Sequence, residues 1–189
     1  MKVFIAGPRA IPKLNKKVEE RLYNIYSKNI AVVVGDANGV DKAVQSYFHK
    51  LNYQNVNIYA AQGKARCNVG NWIVENVKVE SNTKGFDYYA AKDLKMAEVA
   101  DYGFMIWNGK SKGTLNNIIN LLKRNKKTLI YFIPEDKFYC LNKLKDFKKI
   151  INKCNEETKI LFQNLSKETI QLSVSEENLN FNINEQLTF

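Results

Sequence analysis

The run Ile30-Ala31-Val32-Val33-Val34 constrains this chain more than any other feature. Its β-branched residues favour extended backbone, and a strand without a polar side must be buried on both faces, as in a parallel sheet. The run stops at Gly35, after which Val40, Ala43, Val44, Tyr47, Phe48 and Leu51 fall on one helical stripe. The same unit recurs along the chain. Val3 to Ala6 is closed by Gly7-Pro8 and followed by Leu14, Val18, Leu22 and Ile25 at helical spacing. Val56 to Ala60 gives a third strand, and a polar loop follows it. Phe86 to Ala100 favours a helix, Tyr102 to Trp107 a strand, Leu115, Ile118, Ile119 and Leu122 a helix, and Thr128 to Ile133 a strand. Unalternating apolar runs separated by amphipathic helices predict an α/β fold over residues 1–133, a Rossmann-like open parallel sheet with helices on both faces.

Beyond Pro134 the pattern changes, and residues 134–189 read as a C-terminal extension. Leu141 to Cys154 looks helical and basic. Ile170, Leu172 and Val174, then Leu179, Phe181 and Ile183, alternate with polar residues around Glu176-Glu177-Asn178, the pattern of a β-hairpin with one buried face. An isolated hairpin is marginal in water, so this one is expected to pack on the domain or on a second copy of the chain, making a homodimer contact.

In an open α/β sheet, ligands bind at the carboxyl ends of the strands, in the loops that open the helices. Four loops meet that condition. The first holds Gly7 and Arg9, an arginine suited to two parallel hydrogen bonds with phosphate or carboxylate. In the second, Gly35, Asp36, Gly39 and Asp41 precede or open a helix whose first amides can receive an anion. Asp36 and Asp41 would repel phosphate and are read as helix caps or as acceptors for ribose hydroxyls. The third, with Arg66, Asn68 and Trp72, offers a cation, an amide and an aromatic plane. The fourth, with Gly109, Lys110, Ser111, Gly113 and Thr114, places amides, hydroxyls and lysines at a helix N-terminus. It is no Walker A loop, because the glycine required five residues before Gly109 is Phe104.

Composition narrows the class. Aromatics at 12%, with nine Gly and three Pro, exclude a disordered or collagen-like chain. No window offers the roughly 18 consecutive apolar residues of a membrane span, and the apolar run at the N-terminus is too short for a signal-peptide core. A cytoplasmic location is expected, with no membrane partner. Cys67, Cys140 and Cys154 form no C-x-x-C pair and His49 stands alone, so neither a disulfide framework, a metal site nor a cofactor is called for. The net charge of +10 is carried by the front of the chain, with 21 basic and 10 acidic residues through Ile133. That surplus fits a nucleotide or a nucleic acid as partner.

Taken in order, Gly7-x-Arg9, Gly35-Asp36-Ala37-x-Gly39-x-Asp41-Lys42, Arg66-x-Asn68-x-Gly70-x-Trp72, Lys92-Asp93-x-x-Met96-Ala97-x-x-Ala100-Asp101 and Trp107-x-Gly109-Lys110-Ser111-x-Gly113-Thr114 resemble the SLOG superfamily. That Rossmann-like group includes the DNA-processing protein DprA/Smf, the LOG cytokinin-activating hydrolases and the YspA/YpsA-like proteins, and the YspA-type branch is the most similar. The resemblance covers about residues 1–133. It implies a nucleotide or nucleotide-derived ligand held by the loop at Gly109 to Thr114 and by the loops at Gly7 and Gly35. LOG enzymes carry a glutamate shortly after their Gly-Thr, whereas this chain has Asn116 and Asn117. An amide cannot serve as general base or nucleophile near neutral pH. Nucleoside deoxyribosyltransferases also share an Ala-Gly-Pro opening, but their nucleophilic glutamate has no counterpart at this position.

Three functions follow as expectations. The first is a SLOG-type domain that binds a nucleotide or nucleotide-derived small molecule, sensing or sequestering it rather than hydrolysing it. The second is an N-glycosidase or glycosyl transferase using Asp36, Asp41 or Asp93. The third is single-stranded nucleic-acid binding. No catalytic residue is assigned by the sequence.

Overall fold

The computed structural model describes residues 1–62, 65–80 and 82–167. Six strands run parallel in one sheet: β1 (Lys2–Ala6), β2 (Ala31–Gly35), β3 (Val56–Ala61), β4 (Ile73–Val77), β5 (Tyr102–Trp107) and β6 (Thr128–Phe132). A seventh, β7 (Lys137–Leu141), returns antiparallel to β6, and the order across the sheet is β4-β3-β2-β1-β5-β6-β7. The helices are α1 (Lys16–Ser27), α2 (Val40–Lys50), α3 (Gly85–Val99), α4 (Lys112–Lys123), α5 (Leu144–Ile151) and α6 over 156–167. The Rossmann-like α/β architecture expected from the sequence is therefore present.

Two cores explain the unalternating runs. Val3, Ile5, Val32, Val34, Phe104 and Ile106 pack with α1 and α2 on one face. Their neighbours Phe4, Ala6, Val33, Met105 and Trp107 pack on the other with α3, α4, α5 and α6. Successive side chains of a strand point to opposite faces, so both sets are apolar only because both faces are covered. Asn15 caps α1 by accepting from the amide of Val18 at 3.0 Å, and Ser111 caps α4 by accepting from that of Thr114 at 3.4 Å.

The structure corrects several boundaries. The polar loop expected after β3 is interrupted by the edge strand β4, which is half exposed and so lacks an apolar run. The helix expected from Leu141 begins at Leu144, because Leu141 ends β7 opposite Thr128. Phe147, Ile150 and Ile151 of α5 and Phe162 and Leu165 of α6 join the core around Trp107. The hairpin expected between Ile170 and Ile183 lies outside the described residues. Among the described residues no helix is long and apolar enough to cross a membrane.

The chain steps outward from β1 through β4, then returns to place β5 on the other side of β1. The carboxyl ends of β1 and β5 therefore flank a topological switch point, where open sheets leave a crevice.

Candidate functional site

A cavity of about 470 Å3 fills that crevice, within the range of small-molecule sites. The loop after β1 contributes Ala6, Gly7 and Arg9, the loop after β2 and the start of α2 contribute Ala37 and Asp41, and α4 contributes Ser111, Gly113, Thr114 and Asn117. The remaining wall is α3, whose residues Phe86, Tyr89, Ala90, Asp93 and Met96 form a helical stripe, with Lys92 beside it. Of the residues singled out in the sequence, the fold thus brings Gly7, Arg9, Asp41, Ser111, Gly113 and Thr114 to one cavity.

The others surround it. Asp36 accepts from Arg66 through Nε at 2.9 Å, Nη2 at 2.6 Å and the backbone amide at 3.1 Å. These bonds outweigh the burial that would raise the Asp36 carboxyl and hold it below its usual range. The pair lines an adjoining recess of about 160 Å3. Arg66 and Arg9 both approach the Tyr89 ring, at 4.7 and 4.8 Å from its centroid, which ties the recess to the main cavity by cation–π contacts. Gly39 adopts φ +82° as the cap of α2, against the Arg9 carbonyl. The Val40 amide donates to Pro8 at 3.2 Å and is already occupied.

Asn68 is engaged elsewhere, accepting from the amide of Trp72 at 3.0 Å and donating to its carbonyl at 2.8 Å, while the Trp72 indole donates to Tyr53. That loop satisfies itself. In the fourth loop, the amides of Lys110 and Ser111 both donate to the Asn108 side chain, and the Gly109 carbonyl accepts from the Thr158 hydroxyl at 2.8 Å. Gly109 and Lys110 thus shape the loop without lining the cavity. What faces the cavity is the first turn of α4, with its positive dipole end and its Ser111 and Thr114 hydroxyls.

At the floor lies a buried ionic cluster. Lys92, only 4% exposed, donates to Asp93 at 2.7 Å and approaches Asp36 at 4.0 Å. Burial alone would lower its proton affinity, but Asp93, Asp41 and Asp36 outweigh it, and the Lys92 ammonium is held above its usual range. Asp41 accepts from the Ala37 amide at 3.3 Å. Burial, helped by Asp93 and Asp36 and opposed by Lys92, pushes its carboxyl up to about 6. Gly35 makes the cluster geometrically feasible: a methyl group there would run into Asp41 Oδ2 and come within 2.7 Å of Lys92 Nζ.

One end of the cavity thus holds the N-terminus of α4 and the Arg9 cation, the floor holds Asp41, Asp93 and Lys92, and two aromatic rings, Phe86 and Tyr89, stand on the α3 side. Sequence reasoning left Phe86, Tyr89, Lys92 and Asn117 out of the candidate site, although Lys92 stands in the SLOG-like motif and Asn117 follows Gly113-Thr114 where a glutamate was looked for. The signal available for α3 was its stripe of two aromatics, a small residue and a carboxylate at 86, 89, 90 and 93.

Gly113 offers a sharp test of the anion end. A Cβ built there meets nothing within 4 Å. Gly113→Ala is expected to raise stability by about 0.4–1 kcal/mol through the unfolded chain, while weakening anion binding about tenfold by filling the space beside α4. Urea unfolding and phosphate or nucleotide titration on the same variant check both halves. Unchanged affinity would exclude the first turn of α4 as the anion site.

Neither a family model nor a curated protein matches this chain. Among solved structures it is similar to DNA processing protein A from Helicobacter pylori, described for its single-stranded DNA binding mode. The TM-score is 0.52 at 14% identity, over 69% of this chain and 64% of that one. The match spans less than two thirds of the solved chain, and the likeness is one of fold.

Proposed function

We propose that this protein binds a nucleotide or nucleotide-derived small molecule in the switch-point cavity and senses or sequesters it rather than hydrolysing it, as a SLOG-type domain of the YspA-like kind. The observation that carries this reading is the convergence of three chemistries on one cavity. The first turn of α4 and Arg9 suit a phosphate. Phe86 and Tyr89 suit a base plane. Asp41 and Asp93 offer acceptors for hydroxyls. Asn116 and Asn117 occupy the positions where a hydrolytic glutamate would follow Gly113-Thr114, which favours binding over turnover.

Isothermal titration against nucleoside mono- and diphosphates tests the reading. Saturable binding that is lost in Ser111→Ala/Thr114→Val, with no free base released, is the expected result. Absence of binding at millimolar ligand would remove it, and release of base that is lost in Asp41→Asn would replace it with glycosidase chemistry.

A second reading, single-stranded nucleic-acid binding, is favoured by one further feature. A groove of about 730 Å3 adjoins the cavity through Arg9 and carries Lys13, Lys42 and Lys50 against a single carboxylate, Glu19, with Tyr47 in its wall. Cations interleaved with an aromatic ring suit a phosphate backbone, and the fold likeness is to a protein described as binding single-stranded DNA. Binding of this kind weakens steeply with salt. Oligonucleotide retention that fails to fall between low and moderate salt would exclude it.

A further inference from the structure

All 29 lysines and arginines of the chain precede residue 168. Residues 168–189 hold Glu168, Glu176, Glu177 and Glu185 and no cation, so a basic body is followed by an acidic segment. Opposite charges on one chain attract wherever the tether lets them meet. The mouth of the cavity carries cations free to receive carboxylates. Arg9 and Lys112 form no ion pair among the described residues. Each lies on the aromatic wall, Arg9 at 4.8 Å from the Tyr89 centroid and Lys112 Nζ at 4.1 Å from that of Phe86. Beside them the space at Gly113 is open, since a Cβ built there meets nothing within 4 Å.

The tether has the length this needs. Lys123, the last residue of α4, donates through Nζ to the Ser166 carbonyl at 2.9 Å, so the chain leaves α6 beside the C-terminal end of α4. From there to the first turn of α4 is about 18 Å, the length of a helix of 12 residues. Glu176 follows Lys167 by nine residues, and extended chain of that length spans up to roughly 30 Å. Ile170, Leu172 and Val174 alternate with polar residues over that stretch. Large apolar side chains stand exposed on both helices that adjoin α4, Leu94 on α3 and Ile160 on α6. The groove of Lys13, Lys42 and Lys50 lies along α1 and α2, on the opposite face of the sheet, and is the longer route.

We propose that the Glu176 and Glu177 carboxylates dock at the mouth of the switch-point cavity against Arg9 and Lys112, so that the segment after Lys167 competes with an anionic ligand for the site. The docking follows from charge and reach, and the competition rests on the nucleotide reading above. A tether of this length holds the carboxylates at a millimolar effective concentration. A contact too weak to retain a free peptide is therefore sufficient within one chain, and the cavity is held in check by its own sequence.

Carbodiimide, which joins a lysine amine to a carboxylate in contact with it, reads the docking on the full chain at micromolar concentration. The expected product in the monomer band is an amide between Lys112 and Glu176 or Glu177, lost in Lys112→Arg and reduced as salt rises. Absence of that product, or linkage of the two glutamates to Lys13, Lys42 or Lys50 instead, overturns the docking. The competition is read by isothermal titration of adenosine 5′-monophosphate into the native chain and into Glu176→Gln/Glu177→Gln. The variant is expected to bind about three- to tenfold tighter, the range that two partly exposed ion pairs supply. Equal affinity in the two chains overturns the competition. A cross-link without nucleotide binding by either chain removes the nucleotide reading and the competition with it, and leaves the docking standing.

Discussion

Replacing Lys92 with methionine is expected to destabilise the protein by about 3–5 kcal/mol near neutral pH, the usual cost of stranding buried charge by removing its partner. Lys92 is the ammonium around which Asp93, Asp36 and Asp41 are gathered. Asp36 retains Arg66, and Asp93 is the more exposed of the three, so the stranded charge falls mainly on Asp41. A carboxylate in that position escapes by taking up a proton, so the penalty should shrink at pH 5 relative to pH 8. Urea unfolding at both pH values measures it. A loss below about 1 kcal/mol, equal at both pH values, would mean that the cluster does not hold α3 against α2.

Asp41→Asn is expected to act in the opposite direction. The Asp41 carboxyl is raised from 3.8 to about 6 in the folded protein, so the folded state holds a proton that the unfolded chain releases. A raised carboxyl contributes stability that is present below pH 4 and lost as pH rises through about 6. Two pH units correspond to roughly 3 kcal/mol, and the native protein should lose stability of that order between pH 4 and pH 7. Asp36, held below its usual range by Arg66, works the other way, and its contribution disappears only as pH falls below about 4. The amide introduced by the substitution would carry no charge to desolvate, so the variant should show a flattened profile between pH 4 and 7 and exceed the native protein at pH 7. A native profile that is flat over that interval would contradict the assignment.

The fold was legible where burial leaves a mark on composition. The β2 to α2 unit, Ile30 to Leu51, can be read residue by residue because both faces of β2 are covered. β4 was illegible for the opposite reason: an edge strand with Ile73 70% exposed needs no apolar run. β7 escaped because Lys137-Phe138-Tyr139-Cys140-Leu141 is partly solvated and follows a short turn that looks like the end of a domain. At the site, the loops after β1, β2 and β5 could be placed from the strand-end rule. The α3 stripe at Phe86, Tyr89, Ala90 and Asp93 is visible in the sequence, but what that face meets is not. Lys92 stood in the SLOG-like motif, but its place in the site was not foreseen because lysine is rarely buried. Its burial depends on three carboxylates from separate elements, a coincidence of tertiary structure. In the third loop the Asn68 side chain is bonded within the loop, to Trp72, while Arg66 reaches Asp36.

The hydroxyl of Thr158 on the Gly109 carbonyl gives the last described helix a mechanical role. With Phe162 and Leu165 wedged onto Phe147 and the core behind Trp107, α6 buttresses the turn that aims α4 at the cavity. A displacement of α6 would therefore be passed first to the loop before α4, at the mouth of the cavity.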